Sequence, residues 1–433
     1  MFATFRNAWK IPDLRKRILY TLLMLIIFRF GISLQVPFVD VTVMEGLVNE
    51  RSGDMIGFVD FMTGGAFSSG SLFALGVQPY INSTIIMQLL AVAIPYLENL
   101  RKEDDRKFNR LGRYVGAVLG VVLGIGYYFI VRNQGGLRYA AGAPLWSQVF
   151  VAFVIVLCFV AGSVLLMWMG EQIDQKGVGN GISMIIFAGI ISRWSSIFSE
   201  VRGYLEVAAS GQPGIYVWLP VIFLLAIATV LLVVILNAAE SRIKVQYGKK
   251  VVGRKMYGGQ SSHIPIKVNM SGVMPIIFAS ALTSIPATIL NFFTITPEGN
   301  PFWFRVLEAL SYRGPIYAVI YGLLIIAFNY FYVAITYNPI EIANNLKKNN
   351  GSIPGIRPGK PTSEYIARVI RRVTLIGAVF LVVVAIGPII LGNLSGVNIQ
   401  LGGTSLLIVV GVALDTSRSL ESFMLMRHHK GFM

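Results

Sequence analysis

Runs of about twenty apolar residues, the length that crosses a bilayer as a helix, recur along this chain. No water is available in the bilayer core, so each backbone N–H and C=O must be satisfied inside the protein, which a helix does within its own segment. Composition agrees with that reading. Of 433 residues, 55% are hydrophobic and only 13% are charged, against about 25% charged in soluble domains. With short connections, this length accommodates about ten spans.

The sequence predicts spans at residues 18–36, 114–131, 148–169, 181–198, 215–237, 272–293, 316–337, 373–391 and 402–414. A further, broken segment occupies 61–90 and continues as a helix to about residue 97. A short amphipathic stretch precedes the first span, a polar connection fills 199–214, and a polar tail follows residue 414. No small-residue cleavage site follows the first apolar run, so no cleavable signal peptide is predicted.

Lysine and arginine number 37 against 21 acidic residues, a net charge of +16. In a soluble chain this balance points first to nucleic acid. Here it gathers in particular connections, the mark of cytoplasmic loops. Segment 99–113 is basic. Segment 238–271 carries seven basic residues against one acidic, and 338–372 carries seven against two. Segment 37–60 is acidic. Ten spans place both termini and all three basic segments on one side, with 37–60 on the other. In 238–271, valines and tyrosines alternate with charges, which predicts a hairpin. The centre of 338–372 reads PGIRPGKP, which predicts a shaped turn rather than a helix.

The broken segment combines small residues at 64–71 with Gly76-Val77-Gln78-Pro79 and then an apolar helix. Membrane proteins tolerate such a break where it is buried in protein or lines a watery cavity. Gly272-Val273-Met274-Pro275 opens the seventh span in the same way, and interrupted helices at matching places in two halves point to the working site of an inverted repeat.

Reactive chemistry is sparse. The histidines are His263, His428 and His429, all outside the predicted spans, and the single cysteine, Cys158, reads as packing. No HExxH, GxSxG or Walker A motif occurs. The glycine-rich turn at 177–181 lacks nucleotide-loop spacing and reads as an inter-helix turn. Arg29 lies within a span, where a charge is either functional or relieved by snorkelling or a polar neighbour. Apart from Arg29, acids and bases are expected to avoid the spans. This counts against an ion-coupled secondary transporter of inverted-repeat type, the alternative reading. What the broken segments offer is aliphatic: Val77, Ile81 and Ile85 at four-residue spacing, Ile182 and Ile186 likewise, and Ile277. Aliphatic rings dewet a constriction and block ions.

Several long stretches, in order, carry a family likeness: GGAFSSGSLFALGVQPYINSTIIMQLL, MWMGEQIDQKGVGNGISMIIFAGI, QSSHIPIKVNMSGVMPIIFAS, NPIEIANNLKK, IPGIRPGKPT and GGTSLLIVV. The chain resembles the SecY family, the channel subunit of the protein-conducting translocon, over essentially its whole length. The resemblance implies an all-α fold of ten transmembrane helices in two inverted five-helix halves, 1–214 and 215–433, around an hourglass pore. It implies a pore ring of Val77, Ile81, Ile182, Ile186, Ile277 and Ile408. It also implies a plug at about 56–70 that includes Gly64, Gly65, Ala66, Phe67 and Ser68, and a lateral gate with Gln88 and Asn269 at polar positions. Docking of the ribosome and the SecA motor falls on Arg254, Lys255 and Arg357. The implied protein is not an enzyme and has no cofactor. It sits in the cell inner membrane with both termini cytoplasmic, alongside SecE and SecG. It passes signal-sequence-bearing polypeptides across the membrane or releases apolar segments into lipid, and meets nucleic acid only through the ribosome.

Overall fold

Prolines set the starts of several helices, because a proline in the first turn gives up no hydrogen bond and has its φ already fixed. A computed structural model describes residues 2–50, 55–138, 144–210, 214–247, 250–252, 255–257, 261–291, 314–395 and 403–430. The helices of the first half are α1 Phe2–Trp9, α2 Pro12–Ile32, α3 Val41–Glu50, α4 Met55–Met62, α5 Gln78–Ala93, α6 Pro95–Glu103, α7 Asp105–Asn133, α8 Leu145–Lys176, α9 Gly181–Ser192 and α10 Trp194–Ala209. Those of the second half are α11 Ile215–Ala238, α12 Met274–Asn291, α13 Pro315–Thr336, α14 Pro339–Lys348, α15 Lys360–Ser395 and α16 Gly403–Lys430. Pro12, Pro79, Pro95, Pro315 and Pro339 each sit in a first turn.

Ten of these helices, α2, α5, α7, α8, α9, α11, α12, α13, α15 and α16, fall on the ten predicted spans. By length and composition alone, six segments of the described residues pass as membrane spans, and the bent pair α5–α6 makes a seventh. The others are short, or carry charge at their ends.

The structure corrects several boundaries. The second span does not run to residue 97. Ile94 is extended (φ −114°, ψ 109°), and α6 departs from α5 at a bend of 110°. Pro95 is the cause, since the residue before a proline is pushed out of the helical region. The basic segment 99–113 is mostly helical, with Asp104 capping α7 by accepting from the Lys107 N–H. The connection expected at 199–214 is largely helical, since α10 runs on through Ala209, and the expected polar tail continues α16 to Lys430. Hydropathy marks what lies in lipid, whereas lysine, arginine and glutamate carry helices on into water.

The predicted hairpin in 238–271 is present. β1 Glu240–Tyr247 pairs antiparallel with β4 Ser261–Lys267, with Glu240 opposite Lys267. Nearer the tip, β2 Lys250–Val252 pairs with β3 Lys255–Tyr257. A two-residue strand of the other long basic loop, β5 Gly351–Ser352, adds to the free edge of β1, so both loops build one sheet of order β4-β1-β5. Ile243 and Val245, alternate residues of β1, are buried in an apolar cluster with Ile266, Leu346, Ile366 and Ile370. That cluster seats the sheet on α14 and α15.

The largest apolar core draws on α2, α5, α8, α9, α11, α12, α13, α15 and α16. By contrast, α11 is buried mainly near its two ends, at Ile215, Val233 and Asn237. Exposed side chains such as Leu224, Ile227, Leu231 and Ile235 give it an apolar outer face, as suits lipid.

Candidate pore and its plug

Val77 is the residue at which the broken segment becomes helix, and its carbonyl accepts the Ile81 N–H at 3.0 Å. One turn therefore separates the two side chains on a single face of α5. Ile182 and Ile186 repeat that spacing on α9. The start of α9 is fixed by two side chains: Asn180 accepts from the Ser183 N–H at 3.0 Å, and Asp174 of α8 accepts from the Gly181 N–H at 2.7 Å. Ile277 lies in the first turn of α12 and Ile408 in the second turn of α16. All six side chains are buried, and all six belong to one contiguous apolar cluster. Four helices, two from each half of the chain, thus deliver aliphatic groups to one place.

A cavity of about 30 Å³ adjoins this cluster, space for one or two waters. Val77, Ile81 and Ile186 line it on one side, and Val59, Met62 and Thr63 on another. The second group belongs to the predicted plug, so plug and aliphatic cluster share a boundary.

The segment of the predicted plug, 56–70, takes in α4 and the turns that follow it. Gly64, Gly65, Ala66 and Phe67 are buried and Ser68 is half-buried. Gly65 has φ +86°, a conformation in which a side chain is strained. Gly189 of α9 lies where the Met62 carbonyl passes, and a Cβ there would collide with it. Phe67 meets the Tyr127 ring edge-on at 4.9 Å between centroids. Asp60 organises the turn: its carboxylate accepts from the Ser68 N–H at 2.7 Å, and its carbonyl accepts from the Gly65 N–H at 2.9 Å.

Two arginines bond to this segment. Arg193, at the junction of α9 and α10, forms an ion pair with Asp60. Arg29 of α2 donates to the Gly64 carbonyl at 3.1 Å and to the Ser192 hydroxyl at 3.3 Å. The charge in the first span is therefore relieved by polar neighbours. Arg193 overturns the expectation that Arg29 is alone, since it lies inside the predicted span 181–198. Its position in an apolar run was the signal that could have found it. Asp60 read as one more acid of an outer segment, because nothing local reveals its partner 133 residues away.

Gln88 and Asn269 are not paired with one another. Asn269 is buried and donates from Nδ2 to Asn237 Oδ1 at 2.9 Å, within the second half of the chain. Its own Oδ1 and Gln88 Oε1 have no hydrogen-bond partner among the described residues. The helix of Gln88, α5, does pack against α12, the helix that follows Asn269. Of the predicted docking residues, Arg254 lies outside the described residues and Lys255 opens β3. Arg357 is exposed on the PGIRPGKP turn, where its carbonyl accepts from the Thr362 hydroxyl at 2.8 Å. The turn ends where α15 begins at Lys360, as its prolines and glycines predict.

A family model described as SecY matches residues 71–417. The chain belongs to the SecY family. The protein translocase subunit SecY of Thermotoga maritima is 40% identical over 440 residues, spanning 100% of this chain and 98% of that one. Two solved structures share the fold. One concerns a SecY protein whose plug domain is described as stabilising the closed state of the translocation channel, with a TM-score of 0.65 and 18% identity over 96% of this chain and 94% of that one. The other is Sec61 in the canine ribosome-channel complex, with a TM-score of 0.60 and 19% identity over the same shares. SecY membership makes this chain a multi-pass membrane protein and a translocase channel subunit rather than an enzyme. The secondary-transporter alternative has no support.

Proposed function

We propose that the six aliphatic residues Val77, Ile81, Ile182, Ile186, Ile277 and Ile408 form the constriction of a pore for unfolded polypeptide, between halves 1–214 and 215–433. One observation carries this reading: the six come from four helices of both halves, share one cluster and abut the plug. Branched aliphatic side chains exclude water and ions from a narrow waist yet yield to a bulky passenger. In this reading the plug, 56–70 with Gly64, Gly65, Ala66, Phe67 and Ser68 at its turn, closes the resting pore and leaves when a chain enters. The contact of α5 with α12 is the lateral gate, and Gln88 and Asn269, each with an unpartnered oxygen, are the polar groups there that find new partners as it opens. A signal sequence enters at that gate because about twenty apolar residues favour lipid over water.

Driving energy comes from a partner that docks on the sheet built by the two basic loops, with Arg254, Lys255 and Arg357 as contact residues. The ribosome and the SecA motor are the proposed partners there, and SecE and SecG the proposed companions in the membrane. The basic loops set the orientation, with both termini in the cytoplasm, and in this reading the protein sits in the inner membrane. The deciding experiment reconstitutes the chain with its companions, the motor and an unfolded secretory substrate. Protease-protected substrate is expected to accumulate with time, and no protection above motor-free vesicles would refute the reading.

A further inference from the structure

We infer that Asp60 and Arg193 are positioning residues for the translocation reaction: their ion pair is a latch that couples plug release to displacement of the aliphatic constriction. This rests on the plug reading proposed above. Asp60 is 1% exposed and Arg193 20% exposed, so both charges are largely removed from water. A plug that needed only to pack would do as well with an apolar pair, because a buried ion pair recovers little beyond its own desolvation. What an ion pair adds is sensitivity to water. Its attraction is strong in a dry site and falls many-fold as the local dielectric rises. A plug that starts to lift admits water, hydrates both charges and loses the contact that held it, so release becomes cooperative.

Placement supplies the coupling. Arg193 ends the same helix that carries Ile182 and Ile186, with Ile186 about two turns away. A passenger that pushes these side chains aside also moves the plug's counter-ion. Gly189 lies between them and lets the Met62 carbonyl ride directly on the helix backbone, so a shift of α9 reaches the plug without slack. Arg29 grips the Gly64 carbonyl from α2 and is a second hold, itself bonded to Ser192 of α9.

The test measures resting ion conductance of the full chain in planar bilayers, without substrate, for Asp60→Asn, Arg193→Gln, the double variant, Arg193→Lys and deletion of 56–70. Asp60→Asn keeps an acceptor for the Ser68 N–H, so it removes charge rather than shape. Asp60→Asn and Arg193→Gln are each expected to raise the resting open fraction at least about tenfold, as expected when one partner of a buried pair is removed. The double variant is expected to open no more than either single one, because the two act as a unit. Arg193→Lys is expected to recover part of the closure. If the deletion raises conductance but Asp60→Asn or Arg193→Gln does not, or if the two add independently, the latch is overturned and the plug stands. If the deletion also leaves conductance unchanged, the plug reading fails and takes the latch with it.

Discussion

The Ser271 hydroxyl donates to the Asn329 side-chain oxygen, and the Asn329 amide in turn donates to the Thr374 carbonyl at 3.0 Å. This chain of bonds ties the approach to α12 to α13 and α15 in the middle of the second half. Replacing Asn329 by Ala leaves the Ser271 hydroxyl buried without a partner. The expected loss is about 0.6–2 kcal/mol, the range found for hydrogen bonds between membrane helices. Thermal unfolding in detergent should show a lower midpoint, and an unchanged midpoint would remove the network from the stability of this half.

The proposed aliphatic constriction predicts a leak. Ile81→Ser and Ile277→Ser each remove apolar carbons from the waist, roughly 2 kcal/mol of drying free energy at about 0.8 kcal/mol per methylene. Resting conductance of the double variant should rise well above that of the parent channel. Equal conductance would show that the seal lies elsewhere.

The gate movement proposed between α5 and α12 can be tested by joining the two helices chemically. Ile81 and Ala281 line the same small cavity from these two helices. With Cys158 replaced by Ala, cysteines at 81 and 281 joined by a short bifunctional thiol reagent should block export, and cleavage of the linker should restore it. Full export by the joined protein would exclude this seam as the gate.

Arg357 is exposed, and its turn is held through the backbone by Thr362. Arg357→Glu should therefore leave the protein folded and membrane-inserted while motor-driven translocation falls sharply. Normal translocation by this variant would free Arg357 from the docking role.

Outside the spans, Arg138 donates from Nε and Nη2 to the two carboxylate oxygens of Asp40, each at 3.1 Å. Those bonds, with a further one from Thr42, hold the Asp40 carboxyl at about 2, below its ordinary 3.8. A depressed value means that the clasp contributes fully above the ordinary value and is lost as pH falls through about 2. The carboxyl ¹³C shift of Asp40 should titrate with that low midpoint. In Arg138→Gln the midpoint should move up, and an unmoved midpoint would show that Arg138 is not the cause.

Much of the candidate site was legible before any coordinates. The four-residue spacing of Val77 with Ile81, and of Ile182 with Ile186, is a local property of helices, and those residues do meet in one cluster. The PGIRPGKP turn followed from proline and glycine alone. Arg193 was harder: it sat in an apolar run that hydropathy averages smoothly, so its charge did not stand out. That Asn269 bonds to Asn237, 32 residues away in sequence, was not legible, because only the packing brings the two amides together.

Sequence alone determined the membrane class, the apolar runs, the gathering of positive charge in three connections and the aliphatic character of the proposed waist. Each depends on residues within a turn or two of one another, or on transfer from water to lipid summed over a run. Tertiary structure decided that Arg193 answers Asp60, that Arg29 grips the Gly64 carbonyl, and that β5 of one basic loop completes the sheet of the other. Those are pairings between residues far apart in the chain. Burial makes an unpaired charge or strand edge costly, but only the packed helices determine which distant group relieves it.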